Sequence, residues 1–245
     1  MMSFIRKKTE NLIELFRTHR QVWWIIVYTA IYLGAFQVME NARHVHYHVI
    51  HTWLDDQIPF CAYFIIPYVA WFAFNIVVVG WFVLHAPKYE YYRLITALML
   101  GMTVFLVVSV VYPNRLELRP YYVDTSGLCG KLVAFLYQTD TSTNVLPSIH
   151  VYNTVVLCHA VNMNTQLRRR RALFLACNVF GVLVILSTMF LKQHSVIDVC
   201  LGLVLGMVMQ IISDRIFEAD EERAFARETL YGGSSSSRRT ANGEP

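Results

Sequence analysis

The sequence predicts an all-α membrane protein, with six transmembrane helices, a long outer loop between the third and fourth, and both termini cytoplasmic. Three observations lead there. Of 245 residues, 56% are hydrophobic and only 16% charged, whereas soluble globular domains run at about 45–50% apolar and about 25% charged. Six stretches, near 21–39, 60–85, 91–112, 147–163, 172–191 and 194–213, match the roughly 17–25 residues that a bilayer span needs. Finally, sixteen of the 21 lysines and arginines fall on one side of the implied topology, which sets that side as cytoplasmic.

In order along the chain, Arg6, Lys7, Lys8, Arg17 and Arg20 precede the first span. No small-residue cleavage site follows it, so it reads as a retained span and not a signal peptide. Lys88 and Arg93 join the second and third spans, Arg168 to Arg171 join the fourth and fifth, and Arg215, Arg223, Arg227, Arg238 and Arg239 lie in the tail. The outer connections carry only Arg43, Arg115, Arg119, Lys131 and Lys192. Beside two spans, the four-arginine run is a topology anchor and not a nucleic-acid site. Residues 1–213 form one membrane domain and 214–245 a cytoplasmic tail, whose end, "YGGSSSSRRTANGEP", reads as disordered. Cys61, Cys129, Cys158, Cys177 and Cys200 lack any paired spacing and read as small hydrophobes, not disulfides.

The chemistry concentrates on the outer side. "TDTSTNVLPSIHVYNTVVLCHAV" (139–161) takes a polar run through Pro-Ser-Ile-His straight into an apolar helix. The fifth and sixth spans are joined by almost nothing, so Lys192, His194 and Asp198 of "STMFLKQHSVIDV" sit at the outer interface, where ionisable groups are costly and point to function. His194 and Asp198 are four residues apart at a helix head and share one face. A carboxylate there fixes the imidazole tautomer and steadies its cation. Pro147 suits a first helical turn, leaving the amides around Ser148 free for an anion. Arg119 supplies a planar fork for phosphate oxygens. Together these describe a phosphate site in which one histidine attacks phosphorus and the other protonates the leaving oxygen.

These residues resemble the type 2 phosphatidic acid phosphatase superfamily, whose signature runs K-x6-R-P, P-S-x-H, S-R-x5-H-x3-D. The chain carries Arg119-Pro120, "PSIH" at 147–150, and Ser187 with His194 and Asp198. "YPNRLELRP", "DTSTNVLPSIHV" and "KQHSVIDV" are most similar to its bacterial membrane branch, in the plasma membrane with an extracytoplasmic site. The resemblance implies a phosphohistidine on His194 oriented by Asp198, and His150 as proton donor and then water activator. It implies phosphate binding by Arg119, Lys192, Ser148 and Ser187, with no metal and no cofactor. Tyr112 and Thr188 stand where the pattern has lysine and arginine, so Lys192 or Arg115 is expected to replace the missing charge, each one helical turn away.

The implied function is hydrolysis of a lipid phosphate or polyprenyl diphosphate reached from the bilayer. Transfer of the phospho-head group to an alcohol is one alternative, and a non-catalytic lipid-binding or transport protein another. His44, His46, His48 and His51 share no common face and read as an interfacial segment, not a metal site. Asp55 and Asp56 read as a solvated turn. His159 lies nine positions past His150, about 14 Å along a helix, and reads as a buried, hydrogen-bonded residue. Asn75, Asn153 and Asn178 read as interhelical hydrogen-bonding groups.

Overall fold

The computed structural model describes residues 22–42 and 45–240. The basic residues from Arg6 to Arg20, Arg43, His44 and the last five positions lie outside the described residues. The chain runs through α1 (Val22–Glu40), β1 (His48–Val49), α2 (Trp53–Gln57) and, after a 3-10 turn at Ala62–Phe64, α3 (Ile65–His85). It continues through α4 (Lys88–Val111), β2 (Asn114–Arg115), α5 (Leu128–Thr139), α6 (Ile149–Met163), α7 (Thr165–Arg169), α8 (Arg171–Phe190) and α9 (Val196–Thr240).

Among the described residues, four helices are long and apolar enough to cross a membrane: α3 with its leading turn, α4, α8, and α9 from Val196 to Asp220. Only 22–33% of each apolar stretch is buried in the protein. Ile76, Val77, Val107, Val110 and Ile211 therefore face outward, an arrangement that water penalises and lipid accepts. The remaining two expected spans coincide with α1 and α6. Helix α6 has 15 residues and reaches only about 22 Å, short of a hydrocarbon core of about 30 Å.

Helix α6 forms the centre, packed against α3, α4, α8 and α9. Its Tyr152, Val156, Leu157, Ala160 and Val161 join Val78 and Phe82 of α3 and Leu94 and Ala97 of α4 in the main core. Two glycines allow this approach. A methyl group on Gly101 would stand 1.9 Å from the Tyr152 ring, and one on Gly202 would stand 2.8 Å from the Ser148 carbonyl oxygen. Gly202 thus brings α9 against the first turn of α6, which places the two histidine-bearing helix ends side by side.

The connections at the His150 end of the bundle are more ordered than loops. β1 pairs in parallel with β2, His48 opposite Asn114 and Val49 opposite Arg115, and Arg115 bridges to Thr143. Asn114 is fully buried. Its side-chain oxygen accepts from the amides of Val145 and Leu146 at 2.9 and 3.0 Å, fixing the approach to α6. Helix α5 packs Val133 against Ile65, Tyr68 and Leu191.

Several expectations are revised. Helix α9 is continuous to Thr240; extending an existing helix costs far less than nucleating one. Asn75 donates to Trp71 O within its own helix, not across helices. Asn178 does bridge helices, in a reciprocal pair with Asn162. His159 lies 3.3 Å from Asp214, which is 3.6 Å from Arg93, so an ion-paired cluster marks the end of the bundle opposite His150. His48 stacks on Tyr112, with ring centroids 4.4 Å apart, and His51 pairs with Asp56 at 2.9 Å.

Candidate active site

The turn between α8 and α9 is built to present His194. Lys192 takes φ 53°, and the amides of Gln193 and His194 return to the Thr188 carbonyl at 2.9 and 3.1 Å. The chain therefore reverses within four residues. Asp198, fully buried, accepts the Ser195 amide at 2.9 Å and His194 Nδ1 at 3.2 Å on the same oxygen, Oδ2. With the carboxylate as acceptor, Nδ1 holds the proton and Nε2 presents its lone pair. That Nε2 lies 3.3 Å from Nδ1 of His150. The His150 ring is wedged between Tyr68 and Trp71, at centroid distances of 4.7 and 4.4 Å.

Both imidazoles open on a pocket of about 110 Å³. Its polar wall is formed by Asp140, Thr141, Thr143, Asn144 and Gln193, and its apolar wall by Tyr32, Phe36 and Phe105. Arg119 stands behind this wall. It donates to the carbonyls of Tyr137 and Asp140 at 3.2 and 2.9 Å and to Gln193 Oε1 at 2.8 Å, with its guanidinium 4.6 Å above the Tyr137 ring. Gln193 Nε2 and Arg119 Nε are buried without a hydrogen-bond partner among the described residues. Burial lowers the Arg119 pKa and raises that of the Asp140 carboxyl; the nearby His194, the Tyr68 hydroxyl and Arg119 only partly offset the latter.

The structure brings His194, His150 and Asp198 together, with Arg119 adjacent through Gln193. It places the other expected phosphate ligands elsewhere. Lys192 Nζ donates to the carbonyls of Asp55, at 2.6 Å, and Ile58, because the end of α2 leaves free carbonyls that attract a cation. The Ser148 amide is used by the Asp198 carbonyl at 3.1 Å, and its hydroxyl caps α6 by accepting from Val151 N at 3.4 Å; Pro147 precedes the helix instead of opening it. Ser187 is fully buried and donates to Val184 O at 2.6 Å. Arg115 points out of the two-stranded sheet and pairs with Glu117.

Asp55 is the largest revision. It is only 2% exposed, not a solvated turn. Its carboxylate accepts from Ser195 Oγ at 2.7 Å, Val196 N at 2.8 Å and Thr52 N at 2.8 Å. It caps α9 from 140 residues away, where the positive end of the helix dipole favours an anion. Burial raises its pKa, but these three hydrogen bonds outweigh that and leave it below the ordinary value. The Thr52-x-x-Asp55 spacing is a helix-start signal; the cross-chain role carries no local signal. Asp140, Gln193 and Tyr68 were likewise missed, since nothing in their spacing relates them to His194.

No curated protein and no solved structure matches the chain. The family model of the PAP2 superfamily matches residues 93–221, which takes in Arg119, the "PSIH" segment and the His194–Asp198 pair. The chain therefore belongs to the PAP2 superfamily, a group of membrane-associated, phosphatase-type proteins.

Proposed function

We propose that the protein is a six-span membrane enzyme that hydrolyses a lipid phosphate ester or a polyprenyl diphosphate through a phosphohistidine on His194, without a metal. The observation that carries this is the Asp198–His194–His150 chain opening onto a pocket at one end of an apolar bundle. A phosphate entering between the two imidazoles replaces their mutual contact. The Nε2 lone pair of His194 bonds to phosphorus as the ester P–O bond breaks, and protonated His150 gives its proton to the leaving oxygen. Asp198 stabilises the cationic phosphohistidine. His150 then takes a proton from water, whose oxygen displaces His194. Gln193 Nε2, oriented by Arg119, supplies a preorganised donor for a phosphoryl oxygen.

The charge asymmetry supports an outward position for this end, away from Lys88, Arg93 and Arg168 to Arg171, and the motif resemblance favours a bacterial plasma membrane. The test is turnover of a panel of phosphorylated lipids by the purified protein in detergent with EDTA, beside His194→Ala. Release that survives EDTA and is lost in the variant supports the proposal; release that persists in the variant refutes it. Phosphotransfer to an alcohol is the second reading. It is favoured by the hydroxyl and amide oxygens of Thr141, Thr143 and Asn144 in the pocket, and product analysis with added alcohols separates the two.

A further inference from the structure

Four consecutive arginines, Arg168 to Arg171, follow the end of α6 opposite His150, and all four are exposed. A topology anchor needs only their number; their setting is more specific. Other exposed arginines have carboxylate neighbours: Arg115 pairs with Glu117, Arg215 with Glu218 and Arg223 with Asp220. Among the described residues, Arg168 to Arg171 have no ion-pair partner. Their four charges are left for something outside the chain.

The turn that carries them is built, not loose. Asn164, 2% exposed, accepts the Leu167 amide at 2.9 Å on its side-chain oxygen and donates from Nδ2 to Glu90 Oε2 of α4 at 2.6 Å. Leu167 is buried, and the amides of Arg168 and Arg170 return to the carbonyls of Asn164 and Leu167, each at 3.0 Å. The bundle therefore fixes the backbone of the cluster while its side chains stay at the surface. Along α8 the surface then changes character. Arg171 opens this helix, and Leu175, Val179 and Val182 follow it at spacings of four, four and three residues, on one helical face. All three are exposed, and Val182 also lines a cavity of about 280 Å³ between α6 and α8.

One face thus carries unneutralised guanidinium groups at its head and bare apolar surface along its length, the complement of a single phospholipid. We propose that this face is a binding site for an anionic phospholipid, with the head group held by Arg168 to Arg171 and a chain lying along Leu175, Val179 and Val182. A guanidinium presents parallel N–H donors to the oxygens of a phosphodiester. A head group with net negative charge is favoured over a zwitterionic one, which brings its own cation into the cluster. The site lies at the other end of α6 from His150, so its lipid is a bound partner and not the substrate, and the proposal does not rest on the phosphohistidine reading.

The test titrates the purified protein in detergent, carrying His194→Ala so that no lipid is consumed, with phosphatidylglycerol and with phosphatidylcholine of the same chains. Bound lipid is counted by native mass spectrometry. Phosphatidylglycerol is expected to bind at least about tenfold more tightly at low salt, since each basic residue near an anionic head group contributes about fivefold, and to lose that preference as salt rises. Combining Arg168→Gln, Arg169→Gln, Arg170→Gln and Arg171→Gln is expected to abolish the preference and leave phosphatidylcholine binding unchanged. Combining Arg168→Lys, Arg169→Lys, Arg170→Lys and Arg171→Lys is expected to retain it, because the charge survives. An unchanged preference in the glutamine variant overturns the proposal. Loss in the lysine variant overturns it too, by marking the arginines as structural. Tighter binding of a short RNA duplex than of phosphatidylglycerol also overturns it, and assigns the cluster to nucleic acid. None of these results bears on turnover at His194, which is read separately.

Discussion

Replacing Asp55 with alanine removes three hydrogen bonds at once, two of them from the turn that carries His194. The acceptor is a buried carboxylate, and the donors are Ser195 Oγ, Val196 N and Thr52 N at 2.7, 2.8 and 2.8 Å. Hydrogen bonds to a charged group contribute about 1.5–3 kcal/mol each. Ser195 Oγ can rotate to another acceptor, but the two amides cannot. Two stranded amides give a destabilisation of about 3–5 kcal/mol, a large share of the 5–15 kcal/mol typical of a folded domain. Asp55→Asn retains one acceptor oxygen and is expected to lose about half as much. The pH dependence has a definite sign. The carboxyl is held below its ordinary value in the folded protein, so the folded state binds this proton less readily than the unfolded chain. The stabilisation is present above about 3.9, the unfolded pKa, and fades as pH falls through the folded value. Unfolding in detergent, followed against denaturant and pH, measures both effects. A loss under about 1 kcal/mol in the alanine variant, or an unchanged acid limb, would refute the capping role.

Three further outcomes follow from the same geometry. Lys192→Met is expected to lower kcat and stability with little change in KM, because Nζ holds α2 carbonyls; a large rise in KM alone would return Lys192 to the phosphate. Gly202→Ala is expected to cost about 1–3 kcal/mol by overpacking, since the new methyl group meets the Ser148 carbonyl at 2.8 Å; thermal unfolding reads it. Asn114→Ala is expected to cost about 2–4 kcal/mol, since the buried amides of Val145 and Leu146 lose their acceptor; the same unfolding assay checks it.

The parts of the molecule legible in the sequence are those governed by local pattern. Uninterrupted apolar runs fix α3, α4, α8 and the first half of α9 to within a few residues, because a bilayer span is specified by length and hydropathy alone. The pairing of His194 with Asp198 follows from helical periodicity, since four residues bring them to one face. Partners distant in sequence leave no such trace. Asp55 meets Ser195 because α2 folds against the α8–α9 turn, and Asn114 meets Val145 because two extended segments pair at the Arg115–Thr143 bridge. Lys192 illustrates the converse. Its place beside His194 suggested a phosphate ligand, but a positive φ and the free carbonyls of α2 turn the ammonium away. Donor direction at Thr141, Thr143 and Asn144 was equally hidden, since it is set by Glu40 about 100 residues earlier.

The central claim is that His194 becomes covalently phosphorylated, and trapping that species tests it most directly. Protein is mixed with phosphorus-labelled lipid substrate, quenched in alkali, and its labelled peptide is identified for wild type, His150→Ala and His194→Ala. The account predicts an acid-labile, base-stable label on the peptide containing His194. The label is expected to form more slowly in His150→Ala, which lacks the proton donor to the leaving oxygen, and to be absent from His194→Ala. A label that persists in His194→Ala, or that maps to another side chain, would contradict the account.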